Sequence, residues 1–245
     1  MIKNIPDFLK KIENAIPLYH ITFFIFVGLI VYFKVLFNGF VWDDQDQIVN
    51  NPLIQHLSNF FYFFTASTFS TGGSQQALAG SFYRPFLSII FSLNFYIWGL
   101  NPFGFHLFDV ILHIINVILA FFLIKRILHL QNFQFPQAAA FLVASLYLVH
   151  PANVESVAYI SATSELMCTF FLLVAILTAL SFCLKRDISL SNLFIIFFTI
   201  LASLFSKELG VVSIILILTL AFLYFPYRLI PLGITSFLSL GVYSF

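Results

Sequence analysis

The chain alternates long apolar runs with short polar connections. The runs fall at about 18–38, 84–99, 103–124, 136–149, 166–184, 192–205, 209–225 and 229–245. Because about 18 consecutive apolar residues mark a candidate transmembrane helix, the pattern predicts an all-α polytopic membrane protein. Residues 1–17 form a polar, amphipathic lead-in, and the apolar run after them has no small-residue cleavage site. We therefore expect a retained first helix rather than a signal peptide.

The segment 84–99 determines how often the chain crosses the membrane. If it lies on the membrane surface, eight of the 11 basic residues fall on the inner side, as the positive-inside rule expects. These eight are Lys3, Lys10, Lys11, Lys125, Arg126, Lys185, Arg186 and Arg228. A polar stripe of Arg84, Ser88 and Ser92 also suits a short surface helix. We predict about seven transmembrane helices, with interfacial helices in a large first outer loop at about 40–102.

The composition excludes two other classes of protein. Of 245 residues, 61% are hydrophobic and 9% are charged, whereas a soluble domain has about 25% charged residues. The net charge of +1 lacks the basic excess that a nucleic-acid partner requires. Cys168 and Cys183 lie roughly 22 Å apart along one predicted helix, which excludes a disulfide between them.

The same orientation gathers acidic residues on the outer face. Seven of the ten acids fall in outer loops or at outer helix ends: Asp43, Asp44, Asp46, Asp109, Glu155, Glu165 and Glu208. Arg84 and Lys207 accompany them. Because ionisable residues beside apolar spans are costly and usually functional, this face is the candidate site.

The first outer loop opens with the letters FVWDDQDQIVNNPLI. The adjacent carboxylates of Asp43 and Asp44 repel each other, and a low dielectric raises the pKa of one of them, which suits a general base. The alternative is a solvated loop in which Asp46 or Asn51 caps a helix that starts near Pro52.

Further along, Arg84 has two possible roles. Its side chain either extends along the membrane interface to the lipid headgroups, or its guanidinium N–H groups bind a phosphate. The second span carries polar residues at spacings of 3, 4 and 3, which places them on one helix face. Zinc could use such a face, but we expect a buried structural network instead, without a metal. The residues are His106, Asp109, His113 and Asn116.

The second and third outer loops add the remaining candidates. His150, Glu155 and Glu165 lie in HPANVESVAYISATSEL, where Ser161 or Ser164 could simply cap a helix. In SLFSKELGVV, Lys207 and Glu208 form either a local ion pair or a site in which Lys207 neutralises a ligand anion that Glu208 orients.

Four motifs occur here in an order that resembles a known family. They are FVWDDQDQIVNNPLI, the run from YRPF through LNFYIWGLNPFGFHL, HPANVESVAYI with SEL, and FSKELG, over residues 36–212. They are similar to motifs of membrane glycosyltransferases of the C superfamily, in the protein O-mannosyltransferase-like branch. Members of this branch often carry C-terminal tetratricopeptide repeats.

The resemblance implies a hexosyltransferase that uses a polyprenyl-phosphate sugar, without a cofactor, and a protein or glycan acceptor. Asp43 aligns with the leading loop acid and would deprotonate the acceptor hydroxyl, supported by Asp44. Arg84 and Lys207 would stabilise the departing phosphate. His150, Glu155 and Glu165 would shape the sugar and acceptor pocket.

Two departures keep other functions open. Relatives often have Gly-Arg-Ala-Asp at 162–165, where this chain has Ala-Thr-Ser-Glu, and the chain stops inside an apolar run. We expect residues 18–245 to be a transferase module that is incomplete at its C-terminus. The alternatives are a non-catalytic scaffold and a transporter, although no repeat between the two halves favours a transporter.

The expected location is a cell membrane, with the N-terminus cytoplasmic and the site on the outer face. Phe- and Ile-rich composition favours a bacterial inner or cell membrane; in a eukaryote it would be the endoplasmic reticulum membrane. Membrane lipids and the lipid-linked donor are the expected small partners.

Overall fold

A computed structural model describes residues 7–65, 67–68, 82–185 and 190–244. Lys3 and Arg186 of the predicted inner charges lie outside these ranges. The described residues fold into helices, which confirms the all-helical prediction for this part of the chain. The α-helices are α1 (Asp7–Asn14), α2 (Pro17–Val31), α3 (Pro85–Trp98), α4 (Pro102–Leu130), α5 (Pro136–Val149), α6 (Val154–Ala158), α7 (Thr163–Leu184), α8 (Leu190–Ser206), α9 (Val211–Tyr224) and α10 (Leu229–Tyr243).

Shorter helical turns fill the connections. A π-helical turn covers Gln45–Val49, and 3-10 turns cover Phe33–Phe37, Pro52–Gln55, Leu57–Phe64, Pro151–Asn153, Ile160–Ala162, Glu208–Gly210 and Pro226–Arg228.

Proline begins several of the helices. Pro17, Pro85, Pro102 and Pro136 each occupy the first helical turn, where the missing N–H has no intrahelical partner to lose. At α4 the Asn101 carboxamide also accepts a hydrogen bond from the Phe103 N–H. Local residues therefore determine where these helices begin.

Two long helices organise the bundle. α4 packs against α2, α5 and α7, and α7 packs in turn against α8 and α9. Ala140 and Ala144 of α5 are fully buried in the first core cluster, together with Val110 and Phe121 of α4. Small residues of this kind let two helices approach closely in a membrane protein.

The described helices are consistent with a membrane protein. Pro102–Leu130 and Ile160–Leu184 are each long and apolar enough to cross a membrane. The pair α1 and α2, bent by 100°, and the pair Pro136–Val149 and Pro151–Ala158, bent by 51°, would each add one span. The described residues thus contain two to four candidate spans by length and composition, and the number seven stays a prediction.

The helix ends form two layers with opposite chemistry. One layer, which we call the acidic end, contains the first turns of α4 and α7 and the connection from α8 to α9. The other layer, which we call the basic end, contains the last turns of α4 and α7 and the connection from α9 to α10. At the basic end the Arg126 guanidinium donates to the Ser181 hydroxyl at 2.8 Å, and the Tyr227 hydroxyl donates to the Cys183 carbonyl at 2.9 Å.

Both ends of α3 lie at the acidic end. Its first turn follows Arg84, which pairs with Glu208. Its last residue, Trp98, packs on Gly104 near the start of α4, so closely that a Cβ on Gly104 would lie 2.1 Å from the indole. The first and last turns of α3 therefore lie in the same layer.

Two features of these segments differ from the sequence pattern. Ser88 and Ser92 of α3 are buried, so the polar stripe that they form with Arg84 does not lie on an exposed face of the helix. The helix α4 continues to Leu130, beyond the end of its apolar run at about residue 124, and Lys125 and Arg126 lie on its last turns.

Candidate functional site

The two leading carboxylates of the first loop have different environments. Trp42 adopts a positive φ of 48°, and the chain turns there into the helical segment that follows. Asp44 is 0% exposed, whereas the neighbouring Asp43 is exposed. The sequence pattern predicts related roles for the two acids, but in the fold one of them is buried and the other faces solvent.

Asp44 joins the first loop to the second. Its Oδ1 accepts hydrogen bonds from the Ser161 N–H at 2.8 Å and from the Ser161 hydroxyl at 2.6 Å. Its Oδ2 accepts a third bond from the Val41 N–H at 3.0 Å. Burial raises the pKa of the Asp44 carboxyl, and these hydrogen bonds offset part of the rise. Asp44 therefore acts as an anchor whose oxygens are already occupied.

Asp43 is exposed and lies beside Tyr159 of the second loop, with which it interacts. The Trp42 and Tyr159 rings meet edge to face, with centroids 5.9 Å apart. Burial raises the pKa of the Tyr159 hydroxyl, and the charge of Asp43 adds to the rise. The exposed Asp43 carboxylate can approach a ligand hydroxyl from solvent.

Arg84 forms a two-bond ion pair with the third loop. Its Nε donates to Glu208 Oε1 at 3.2 Å, and its Nη2 donates to Oε2 at 2.9 Å. The Arg84 side chain is 16% exposed and that of Glu208 is 44% exposed. The guanidinium also lies 4.6 Å from the centre of the Phe82 ring. Arg84 is thus fixed against protein by Glu208 and Phe82.

Lys207 connects the third loop to the second. Its Nζ donates to Glu165 Oε1 at 2.6 Å, and the Ser156 hydroxyl donates to Glu165 Oε2, also at 2.6 Å. The predicted local ion pair between Lys207 and Glu208 is wrong, because each side chain pairs with a residue from another loop. An extended backbone at Lys207, with φ of −161° and ψ of 147°, directs the two adjacent side chains apart.

The second loop is therefore hydrogen-bonded to both the first loop and the third loop. Ser161 binds Asp44 of the first loop, and Glu165 binds Lys207 of the third. We call the seven residues that make these bonds the three-loop network: Asp44, Arg84, Ser156, Ser161, Glu165, Lys207 and Glu208. The capping role considered for Ser161 or Ser164 is wrong, because α7 begins without a side-chain cap and the Ser161 hydroxyl is bound to Asp44.

Asn51 has the capping role that its position predicts. Its Oδ1 accepts a hydrogen bond from the Leu53 N–H at 3.0 Å, at the start of the turn that contains Pro52. Asp46 does not cap that turn; it lies in the π-helical turn before it.

The polar face of α4 is buried as expected. Its four residues are 0% exposed, and three of them contact neighbouring helices or turns. Thr163 Oγ1 lies 2.6 Å from Asp109 Oδ1, His113 Nε2 lies 3.2 Å from the Leu148 carbonyl, and the Asn116 amide donates to the Leu166 carbonyl at 2.9 Å. The fourth residue, His106, has neither ring nitrogen hydrogen-bonded within the described residues. Among those residues, no three His, Cys, Asp or Glu side chains are grouped to hold a metal ion.

His150 and Glu155 lie apart from the three-loop network. His150 Nδ1 accepts a bond from the Ala152 N–H at 3.2 Å and so caps the turn that follows α5. Both side chains are exposed. Neither makes a hydrogen bond to the network in the described part of the chain.

Sequence reasoning missed four contributors on the second loop: Ser156, Tyr159, Ser161 and Thr163. Serine and threonine before a helix ordinarily indicate a helix cap, so the local sequence does not predict their bonds to distant residues. Their position in a short polar loop, which also carries a glutamate beside apolar spans, is the feature that could have indicated such a role.

The chain is similar in sequence to curated protein O-mannosyl-transferases. A protein O-mannosyl-transferase of Caenorhabditis elegans is 30% identical over 201 residues, which cover 80% of this chain and 27% of that protein. Protein O-mannosyl-transferase TMTC1 of Mus musculus is 33% identical over 58% of this chain and 15% of its own length. Tmtc1 of Drosophila melanogaster is 28% identical over 78% of this chain and 21% of its own length.

These relatives confirm the resemblance to protein O-mannosyl-transferases that the motifs indicated. The chain spans about a quarter or less of the length of each of the three. No family model matches the chain, and no solved structure matches it.

Proposed function

Because this chain is protein O-mannosyl-transferase-like in sequence, we propose that it forms the site-bearing part of a membrane glycosyltransferase. The enzyme transfers a hexose from a polyprenyl phosphate to an acceptor hydroxyl at the acidic end. One observation carries this proposal: the second loop binds Asp44 with Ser161 and Lys207 with Glu165. This joins the loop that carries an exposed acid to the loop that carries a cation, as a glycosyl transfer from a phosphate donor requires.

The proposed topology has seven spans with the acidic end outside. Helices of 14 to 17 residues such as α5, α8 and α9 measure roughly 21–26 Å, so they would cross with help from their flanking turns. The position of both ends of α3 in one layer supports a helix that lies along the outer surface. The basic residues at the opposite end agree with the positive-inside rule.

Asp43 is the proposed base. It takes the proton of the acceptor hydroxyl while that oxygen attacks the anomeric carbon of the donor sugar. The bond from this carbon to the phosphate oxygen breaks, and the phosphate leaves with the bonding electron pair. A positioned carboxylate contributes typically about 10²–10⁴-fold to such a step. Asp44 supports it indirectly, because its three accepted bonds fix the backbone beside Asp43.

Arg84 and Lys207 are the proposed ligands of the donor phosphate. Glu208 and Glu165 hold them in place before the donor arrives, and each glutamate is more exposed than its cation. Within the described residues, the pair with Glu208 uses Nε and Nη2 of Arg84, which leaves Nη1 for a phosphate oxygen. Preorganised cations of this kind stabilise charge that develops on a leaving group.

His150 and Glu155 would contact the acceptor instead of the phosphate. Both are exposed on the second loop, close in sequence to the residues that bind the other loops. The relatives are named protein O-mannosyl-transferases. Mannose is therefore the first donor sugar to test, and a protein hydroxyl is the first acceptor.

The proposal is tested by comparing donors. The full chain, reconstituted in vesicles, is given a Ser/Thr-containing peptide and radiolabelled mannose, carried either on a polyprenyl phosphate or on a nucleotide. We expect label in the peptide from the polyprenyl phosphate alone. Label from the nucleotide donor in the absence of polyprenyl phosphate, or from neither donor, would contradict the proposal.

A further inference from the structure

An open groove lies at the basic end, far along α4 and α7 from the three-loop network. It has a volume of about 370 Å³ and is lined by Phe122, Lys125, Arg126, His129 and Leu177. The first four residues come from the last turns of α4, and Leu177 comes from α7. The groove therefore occupies the space between two helices that pack along their length.

The two cations of the groove are held in place by neighbouring helices. The Arg126 guanidinium donates from Nη1 to the Ser181 hydroxyl of α7 at 2.8 Å. The Lys125 ammonium donates to the Gln137 carboxamide at the start of α5. Each side chain is partly buried and still lines the open groove. Positioned cations lose less side-chain entropy when they bind an anion than freely moving ones do.

The acid next to these cations already has partners. Glu13 Oε2 accepts bonds from the Gln137 and Ala138 N–H groups, both at 2.9 Å, at the N-terminus of α5. The Gln137 amide in turn donates to carbonyls at the end of α1, including Ala15 at 2.7 Å. Glu13 thus serves as a helix cap, where its charge is favourable, and it does not line the groove.

The groove changes from basic to apolar along α4. Lys125, Arg126 and His129 lie nearer the helix end, whereas Phe122 lies about one turn deeper and is 36% exposed. Leu177 adds a second apolar wall from α7. A ligand that fits this gradient has an anionic group next to an apolar chain.

We propose that this groove binds the headgroup of an anionic phospholipid, with its phosphate between Lys125 and Arg126 and its acyl chain along Phe122 and Leu177. Basic pockets between membrane helices are suited to such headgroups, and each Lys or Arg near a surface adds attraction to anionic lipid. The site is independent of the proposed transferase chemistry, because it uses no residue of the three-loop network.

The experiment measures lipid binding to the delipidated full chain in neutral detergent. Short-chain dioctanoyl phosphatidylglycerol, dioctanoyl phosphatidylcholine and inorganic phosphate are titrated separately by calorimetry. We expect phosphatidylglycerol to bind at least tenfold more tightly than the other two. In the variant Lys125→Gln/Arg126→Gln its affinity should fall roughly tenfold to thirtyfold.

The matched control removes two charges from the same end, outside the groove. Lys10 and Lys11 are exposed on α1, so Lys10→Gln/Lys11→Gln should leave the affinity within about twofold. Equal loss in both double variants would overturn the site in favour of a diffuse surface charge. Equal affinity for phosphatidylcholine would overturn the headgroup preference, and equal affinity for inorganic phosphate would assign the groove to free anions.

A second measurement locates the lipid if the neutral double variant does not fold. In Phe122→Trp, phosphatidylglycerol with brominated chains should quench the new indole fluorescence at about tenfold lower concentration than brominated phosphatidylcholine. The charge-conserving variant Lys125→Arg/Arg126→Lys should keep this difference in the same background. Quenching that is the same for both lipids would overturn the proposal.

Discussion

Arg84 and Glu208 form a two-bond ion pair across 124 residues of sequence. One residue precedes α3, and the other begins the turn that leads into α9. Together with the Lys207–Glu165 pair, this contact closes the acidic end of the bundle. Four of the few charged side chains in this chain are therefore paired between loops that are distant in sequence.

The Arg84–Glu208 pair should contribute measurably to stability. We expect a coupling free energy of about 1–2 kcal/mol between Arg84→Gln and Glu208→Gln, because the pair is bidentate but partly exposed. Thermal unfolding of both single variants and the double variant in detergent measures this coupling. Strictly additive effects of the two substitutions would show that the contact adds nothing to the folded state.

Asp44 should make stability depend on pH. Its pKa is raised by burial in the folded chain, so the folded state holds the proton more firmly than the unfolded state does. The free energy of unfolding therefore falls as the pH rises from the ordinary aspartate range through the raised pKa of Asp44. We expect Asp44→Asn to flatten this part of the profile of unfolding midpoint against pH.

The matched control for that profile is Asp46→Asn, a half-buried acid two residues away. It should leave the slope unchanged. A flattening of equal size in both variants would point to the net charge of the loop instead of to the buried carboxyl of Asp44.

The Ser161 hydroxyl should stabilise the first loop through its bond to Asp44. Ser161→Ala removes the 2.6 Å hydroxyl bond but keeps the 2.8 Å N–H bond. A lost hydrogen bond to a buried charged group costs about 1–3 kcal/mol. We expect a lower unfolding temperature, and faster proteolysis between residues 41 and 50, in Ser161→Ala than in Ser164→Ala, whose serine makes no bond to the described part of the first loop. Equal behaviour of the two variants would show that the hydroxyl bond is dispensable.

Local patterns predicted the helices and the burial of the α4 polar face well. Proline at helix starts, apolar runs and the 3, 4, 3 spacing of His106, Asp109, His113 and Asn116 are all short-range signals. The partners of Asp44 and Lys207 could not be predicted in this way, since they depend on how three loops meet after the helices pack. Ser161 shows the difficulty most clearly, because its local pattern indicates a helix cap and its actual partner lies 117 residues away.

Lys207 should affect donor binding more than acceptor binding. If its ammonium contacts the donor phosphate, Lys207→Gln should raise the KM for the polyprenyl-phosphate sugar by about tenfold or more. Lys207→Arg, which keeps the charge, should retain more of the affinity. The two KM values are measured with the peptide-labelling assay. A change confined to the KM for the peptide would reassign Lys207 to the acceptor side.

The proposed surface position of α3 can be tested with single cysteines. Asn50 precedes α3, Leu100 follows it, and Gln134 follows α4; all three are exposed. Leu100 is chosen because the adjacent residue after α3, Gly99, has a φ of +58° that would strain a cysteine. The background replaces the two natural cysteines, which are buried, by alanine.

An impermeant thiol reagent is applied to oriented vesicles. We expect Asn50→Cys and Leu100→Cys to label from the same side, and Gln134→Cys to label from the other. Labelling of the first two positions from opposite sides would make α3 a span and would reverse the orientation of every helix after it.

The proposed role of Asp43 as the base is tested by the effect of Asp43→Asn on sugar transfer. Asparagine keeps the size of the side chain but cannot take the acceptor proton, so the transfer rate from polyprenyl-phosphate mannose should fall about 10²–10⁴-fold. The unfolding temperature should stay close to that of the parent chain, because Asp43 is exposed, and Asp46→Asn should keep the parent rate. Transfer by Asp43→Asn at the parent rate would contradict the assignment of the base and, with it, the proposed mechanism at the acidic end.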